Sequence, residues 1–307
     1  MVLFHKNYST AISTYESLSI FEEKEKLQSL IKESIYLIFV ISQSYPVENT
    51  TDFSSGSNFA MMEAHHEFGS SYEITKLGFF KQGLMSLRSG LDLGILSTYW
   101  SIVGKNNATF KEWLRAREKT PFSKPIEKKL LTNPNINIFN ERYPIRDFLD
   151  KLGVLHHYVH TKGVPYSTFG EFQKLLSGQE SNETLLERWY QLFQKCVQLI
   201  VILHLLKFPI ASLNYDFIKK FGSYNKSPFC GGLFGDFQEN LIRLIGQEKL
   251  DFIQKIARED DETLGLLEWL NSHPDLSQEE IDIIVTEEQK EWKEQENMIK
   301  QIKLKTE

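Results

Sequence analysis

Residues 182–207, NETLLERWYQLFQKCVQLIVILHLLK, constrain this chain more than any other stretch. They read as one long helix, and from Cys196 through FPIASL the run is apolar over nearly the length of a membrane span. A span needs about 20 predominantly apolar residues. Gln198, His204, Lys207 and Pro209 interrupt this one, so the reading is a core helix that other helices must enclose. IYLIFVI, residues 35–41, is too short to span and is read the same way. No membrane is expected.

Helical periodicity also dominates elsewhere, and no convincing strand alternation appears. Helices are expected at 14–43, about 59–68, about 71–103, 143–160, 237–258 and 261–271, with a charged one from 277. The stretch 104–143, broken by KNN, TPFSKP and NPN, reads as short helices and loops. VENTTDFSSGSN (47–58) reads as a polar loop. At 222–236 the texture changes to GSYNKSPFCGGLFGD, whose Gly231-Gly232 fits no phosphate-binding loop. The expected fold class is therefore all-α: a multi-helix core over 1–221 and a small acidic helical subdomain over 222–307. A chain of 307 residues, 41% hydrophobic and 13% aromatic, has material for a sizeable packed interior and is not disordered.

The net charge of −6 is unevenly spread. Residues 259–296 hold fourteen Asp and Glu against two Lys, which leaves the rest of the chain mildly basic. The acidic tail disfavours nucleic acid at that end. Cys196 and Cys230 form neither a CxxC pair nor a zinc spacing. The start, MVLFHKNYSTAIS, lacks the pattern of a signal peptide. A reducing, cytoplasmic setting is expected. Ser277 to Glu280 is a capping-box sequence opening the last helix. There Ile281, Val285, Glu288, Trp292, Gln295, Ile299 and Ile302 follow a 4-3 spacing with two polar interruptions. The plain reading is an amphipathic helix packed on its own subdomain. The sharper one is a partner-binding helix, with Trp292 as a contact residue.

VLHHYVHTKG (154–163) carries three of the eight histidines. On one continuous helix, Ile145, Phe148, Leu149, Leu152, Leu155 and Val159 share an apolar face. His156 then falls within that face as a packing or contact residue, His160 lies at its margin, and His157 points to solvent. The natural partner is KQGLMSLRSGLDLGILSTYWS (81–101). Its Arg88 and Asp92 are oppositely charged at i, i+4, beside a stripe of small residues (Ser86, Gly90, Gly94, Ser97, Ser101) that permits close helix approach. A charged pair on an apolar helix is costly unless satisfied. It either fixes register or meets His160 across a polar pocket.

Three functional readings follow. A metal site is the weakest: Glu63 to His66 supplies one Glu-x-x-His, whereas a di-iron bundle needs two, and a zinc site from His66, His156 and His160 rests on packing alone. No metal or cofactor is expected. The second reading comes from resemblance. SLRSGLDLGI (86–95) followed by LHHYVHTKG (155–163) at a helix end resembles the helical HEPN superfamily, in particular HEPN-like proteins of bacterial abortive-infection type, over roughly residues 60–210. The resemblance implies a HEPN-like core and membership of a toxin–antitoxin or phage-defence system. Active members are metal-independent ribonucleases with Arg-x(4–6)-His on one helix, where Arg contacts phosphate and His does acid–base chemistry. None of the eight arginines here has a histidine at that spacing. Only a composite site of Arg88, Asp92 and His160 fits an RNA-cleaving role. The third reading, placed first, is a non-catalytic interaction or regulatory protein, oligomeric and acting through a protein partner or self-association.

Overall fold

A computed structural model of the chain describes residues 24–42, 58–104, 106–121, 123–213, 215–223 and 235–306. No strand occurs among them, and the fold is all-α. The first helices are α1 (Glu25–Ser42), α2 (Asn58–Lys76), α3 (Phe80–Val103), α4 (Ala108–Leu114) and α5 (Ser123–Leu130). Then come α6 (Pro134–Arg142), α7 (Ile145–Leu152), α8 (Val154–Val159), α9 (Thr168–Leu176) and α10 (Asn182–Lys207). The chain continues through α11 (Phe217–Phe221), α12 (Gly235–Ile245), α13 (Gln247–Glu259), α14 (Asp261–Ser272) and α15 (Gln278–Thr306). The expected helical residues 14–23, most of the 47–58 loop, most of the 222–236 turn and Cys230 lie outside the described residues.

The long apolar run of residues 182–207 is the axis of the fold. Ser181 caps α10 by accepting from the Thr184 amide at 3.1 Å. From Leu199 to Leu206 every side chain is buried. α1, α3, α6, α7, α12 and α13 pack around it, so its apolar length is met by protein. A buried hydrogen-bond chain pins three helices together: Trp189 Nε1 on α10 donates to Ser71 Oγ on α2 at 2.9 Å, and Ser71 Oγ donates to the Gly83 carbonyl on α3 at 2.7 Å.

The small-residue stripe of α3 is used, against two different helices. A Cβ on Gly90 would come within 3.0 Å of the Phe68 ring on α2, and one on Gly94 would overlap the Ile200 side chain on α10. The break between α2 and α3 falls later than expected. Gly69 stays inside α2, where a side chain would meet nothing. The turn comes at Gly78, whose φ of +80° suits glycine.

Two further expectations change. The helix expected over 143–160 is two helices, broken at Gly153, and the one expected over 237–258 breaks at Gly246, where φ is +85°. Nor do the helices after residue 222 build a core of their own. Leu241, Ile245, Leu250, Ile253 and Ile256 of α12 and α13 are buried in the same core as α10. A separate small cluster joins Ile210, Phe217 and Leu270 beneath α11 and α14. The capping box at the start of α15 is formed: the Ser277 amide donates to Glu280 Oε2 at 2.7 Å, and the Glu280 amide donates to Ser277 Oγ at 3.3 Å.

Candidate functional site

α3, α5, α7 and α8 enclose a solvent-open cavity of about 650 Å³. Arg88, Asp92, His156 and His160 all line it, over an apolar floor that includes Leu96, Ile126 and Leu203. The i, i+4 spacing on α3 gives a two-point ion pair: Arg88 Nη2 to Asp92 Oδ1 at 2.7 Å and Arg88 Nε to Asp92 Oδ2 at 2.9 Å. Removal from bulk water pushes the Asp92 carboxyl above the usual range, more strongly than Arg88 and then His156 pull it down. Cys196 on α10 is fully buried within electrostatic reach of this pair, and burial raises its thiol far above the ordinary value. It is an inert core residue.

The histidines are arranged differently from the expectation. His156 was expected within the packed face and His157 in solvent. His156 instead is exposed in the cavity, with its ring 4.2 Å from that of His160. His157 is half-buried, 5.0 Å from the Tyr166 ring, and Lys162 Nζ lies 3.5 Å from its Nε2. The physical reason is a tightened turn at Gly153. Gly153 keeps right-handed helical angles (φ −56°, ψ −25°), but its amide and that of His156 bond to carbonyls three residues back, at Asp150 and Gly153. The tightened turn buries Leu152, Leu155 and Tyr158 at a spacing of three. Loss of bulk water, then repulsion from His160 and Arg88, lowers the affinity of His156 for a proton. His160 caps α8, and the next residue, Thr161, has φ +44°. Lys81 Nζ on α3 holds its hydroxyl at 2.8 Å, which ties the end of α8 to the helix carrying Arg88.

The sequence reading missed the opposite wall. Arg146 Nε meets Asp150 Oδ1 at 2.9 Å, and its Nη1 meets Glu127 Oε2 of α5 at 3.1 Å. The Arg146–Asp150 spacing is i, i+4 and legible in sequence. Glu127 reaches the site only through the packing of α5.

Behind α8 lies a second polar cluster. Tyr158, on the buried face of α8, lies beside Arg188 of α10; burial raises its phenol, and Arg188 pulls it back down. Arg188 also meets Glu180 at 2.6 Å, and Lys174 reaches the same oxygen at 3.1 Å. Glu171 of α9 is 6% exposed, and its Oε1 has no hydrogen-bond partner among the described residues. Burial raises its carboxyl to about 7 against the pull of Arg188.

The other candidates lie apart. His66 is exposed beside His65, whose ring packs on Phe39 at 5.5 Å, and it does not line the cavity. Among the described residues no group of three or more His, Cys, Asp or Glu is arranged to hold a metal ion. Trp292 is 63% exposed on α15. Chemically, the cavity combines paired imidazoles able to exchange protons with two guanidinium groups able to meet an anion, each already held by carboxylate. No family model matches the chain, and no curated protein or solved structure matches it.

Proposed function

We propose that the chain is a HEPN-like effector that cleaves RNA without a metal, using Arg88, His156 and His160 as a composite site. One observation carries this reading: side chains from two helices, too far apart in sequence for the usual motif, line a single solvent-open cavity. His156, whose affinity for a proton is lowered, takes the proton of a ribose 2′-hydroxyl. That oxygen attacks the adjacent phosphorus, and the 5′-oxygen leaves with a proton from His160. Arg88 turns from Asp92 to the phosphate and stabilises charge on the non-bridging oxygens. The products are a 2′,3′-cyclic phosphate and a 5′-hydroxyl. A place in phage defence or a toxin–antitoxin pair rests on the HEPN resemblance.

The test is mixed-sequence RNA incubated with the protein in the presence of a chelator. The expected result is cyclic-phosphate ends, reduced about 100-fold or more by His160→Ala or Arg88→Ala. Because the proton affinity of His156 is lowered, the acid limb of the pH–rate profile is expected below the ordinary imidazole value of about 6.5. A limb at or above that value assigns the base elsewhere.

A second reading, the non-catalytic interaction protein, is favoured by the charge balance. Asp92, Glu127 and Asp150 outnumber the two arginines they hold, so an anion must displace a carboxylate to enter. On this reading intact protein leaves RNA uncut. The Asp92→Asn variant, with Arg88 released, binds no RNA fragment more tightly than wild type.

A further inference from the structure

α15 is longer than the surface it rests on. At its start Ile284 fills the place where a Cβ on Gly222 would stand, and Ser223 hydrogen-bonds Glu288. From Gln289 to Glu294 every side chain is exposed, and Val285 and Ile283 further back are 37% and 54% exposed. A helix of 29 residues is roughly 43 Å long, and helices of this kind owe most of their stability to packing of one face. Two features of the sequence say what covers this face. Charge is polarised along the helix: residues 278–296 hold eight Asp and Glu against two Lys, while 297–306 hold Lys300, Lys303 and Lys305 and no acid. Trp292 stands at the midpoint of Gln278–Thr306, within the 4-3 series of Ile281, Val285, Ile299 and Ile302 that Glu288 and Gln295 interrupt.

We propose that α15 pairs with α15 of a second copy of this chain, antiparallel and centred on Trp292. An antiparallel pair lays the acidic half of each helix along the lysine-bearing end of the other. A parallel pair would superpose the two acidic halves, and like-charge juxtaposition selects against it. Centring on Trp292 brings the two indoles together and removes the largest exposed aromatic surface of the helix from water.

Sedimentation equilibrium on the full chain tests this. The expected result is a dimer whose dissociation constant rises at least tenfold in Trp292→Ala. Reversing the basic end (Lys300→Glu, Lys303→Glu, Lys305→Glu) weakens it similarly. Adding Glu279→Lys, Asp282→Lys and Glu287→Lys to that variant restores the dimer, which only an antiparallel pair allows. Helical content by circular dichroism is expected to stay unchanged in each variant. A wild-type chain that stays monomeric, even one that captures a basic helical peptide, overturns the proposal. So does a dimer that survives both Trp292→Ala and the lysine reversal, or one that the double reversal fails to restore.

Discussion

Glu171 is a carboxylic acid kept out of water beside one arginine that Glu180 already occupies. Its folded value of about 7 stands above the ordinary 4.5. Between those two values the folded protein holds a proton that the unfolded chain has lost, so stability falls as pH rises through the window. The whole effect is at most about 3 kcal/mol, taken from the size of the shift. Chemical denaturation from pH 4.5 to 8 is expected to show this decline in wild type and a flatter profile in Glu171→Gln. An equal slope in both would assign the decline to another group. Other residues at this scale were open to sequence reasoning in proportion to how local their partners are. Arg88–Asp92 and Ser277–Glu280 follow from spacing on one turn of helix. His156 and His157 exchange their expected environments because the turn at Gly153 tightens to bonds three residues back, which buries Tyr158 and leaves His156 and Val159 exposed.

At the scale of the helix, contact between α3 and α10 depends on the missing side chain of Gly94. Gly94→Ala puts a methyl group where Ile200 stands. Overpacking of this kind costs about 1–3 kcal/mol, and a lowered thermal midpoint is the expected readout. Ala at Gly69, where nothing lies within reach of a Cβ, raises the midpoint or leaves it unchanged because alanine is the better helix former. The pair of substitutions separates crowding from propensity. The same contrast explains which helix ends the sequence reveals. The α10 boundaries are marked by the Ser181 cap and Pro209. The end of α2 is not, because Gly69 and Gly78 look alike in sequence and differ only in the backbone angle that the packing of α3 demands.

Across the whole molecule, the acidic composition after residue 222 suggests a detachable subdomain, but the burial pattern gives α12 and α13 another role. Composition reports what a segment shows to water, and both helices keep charge outside while sending aliphatic side chains to the common core. Leu241, Ile245, Leu250, Ile253 and Ile256 are together worth roughly 7–15 kcal/mol of burial, comparable with the roughly 5–15 kcal/mol stability of a typical domain. A chain ending at residue 221 is therefore expected to be insoluble or molten. A soluble fragment with a cooperative melt would show that the first part stands alone.

This closing role for α12 and α13 also sets a timetable for synthesis. α10 ends at Lys207, and α13 is complete only at Glu259. At about 5–20 residues per second, a ribosome needs several seconds to add the intervening stretch. For that interval the nascent chain displays its most membrane-like helix with one flank uncovered. Whatever attends the chain in the cell must keep that helix from aggregation, and from the machinery that sorts apolar segments toward a bilayer, until the last two walls arrive.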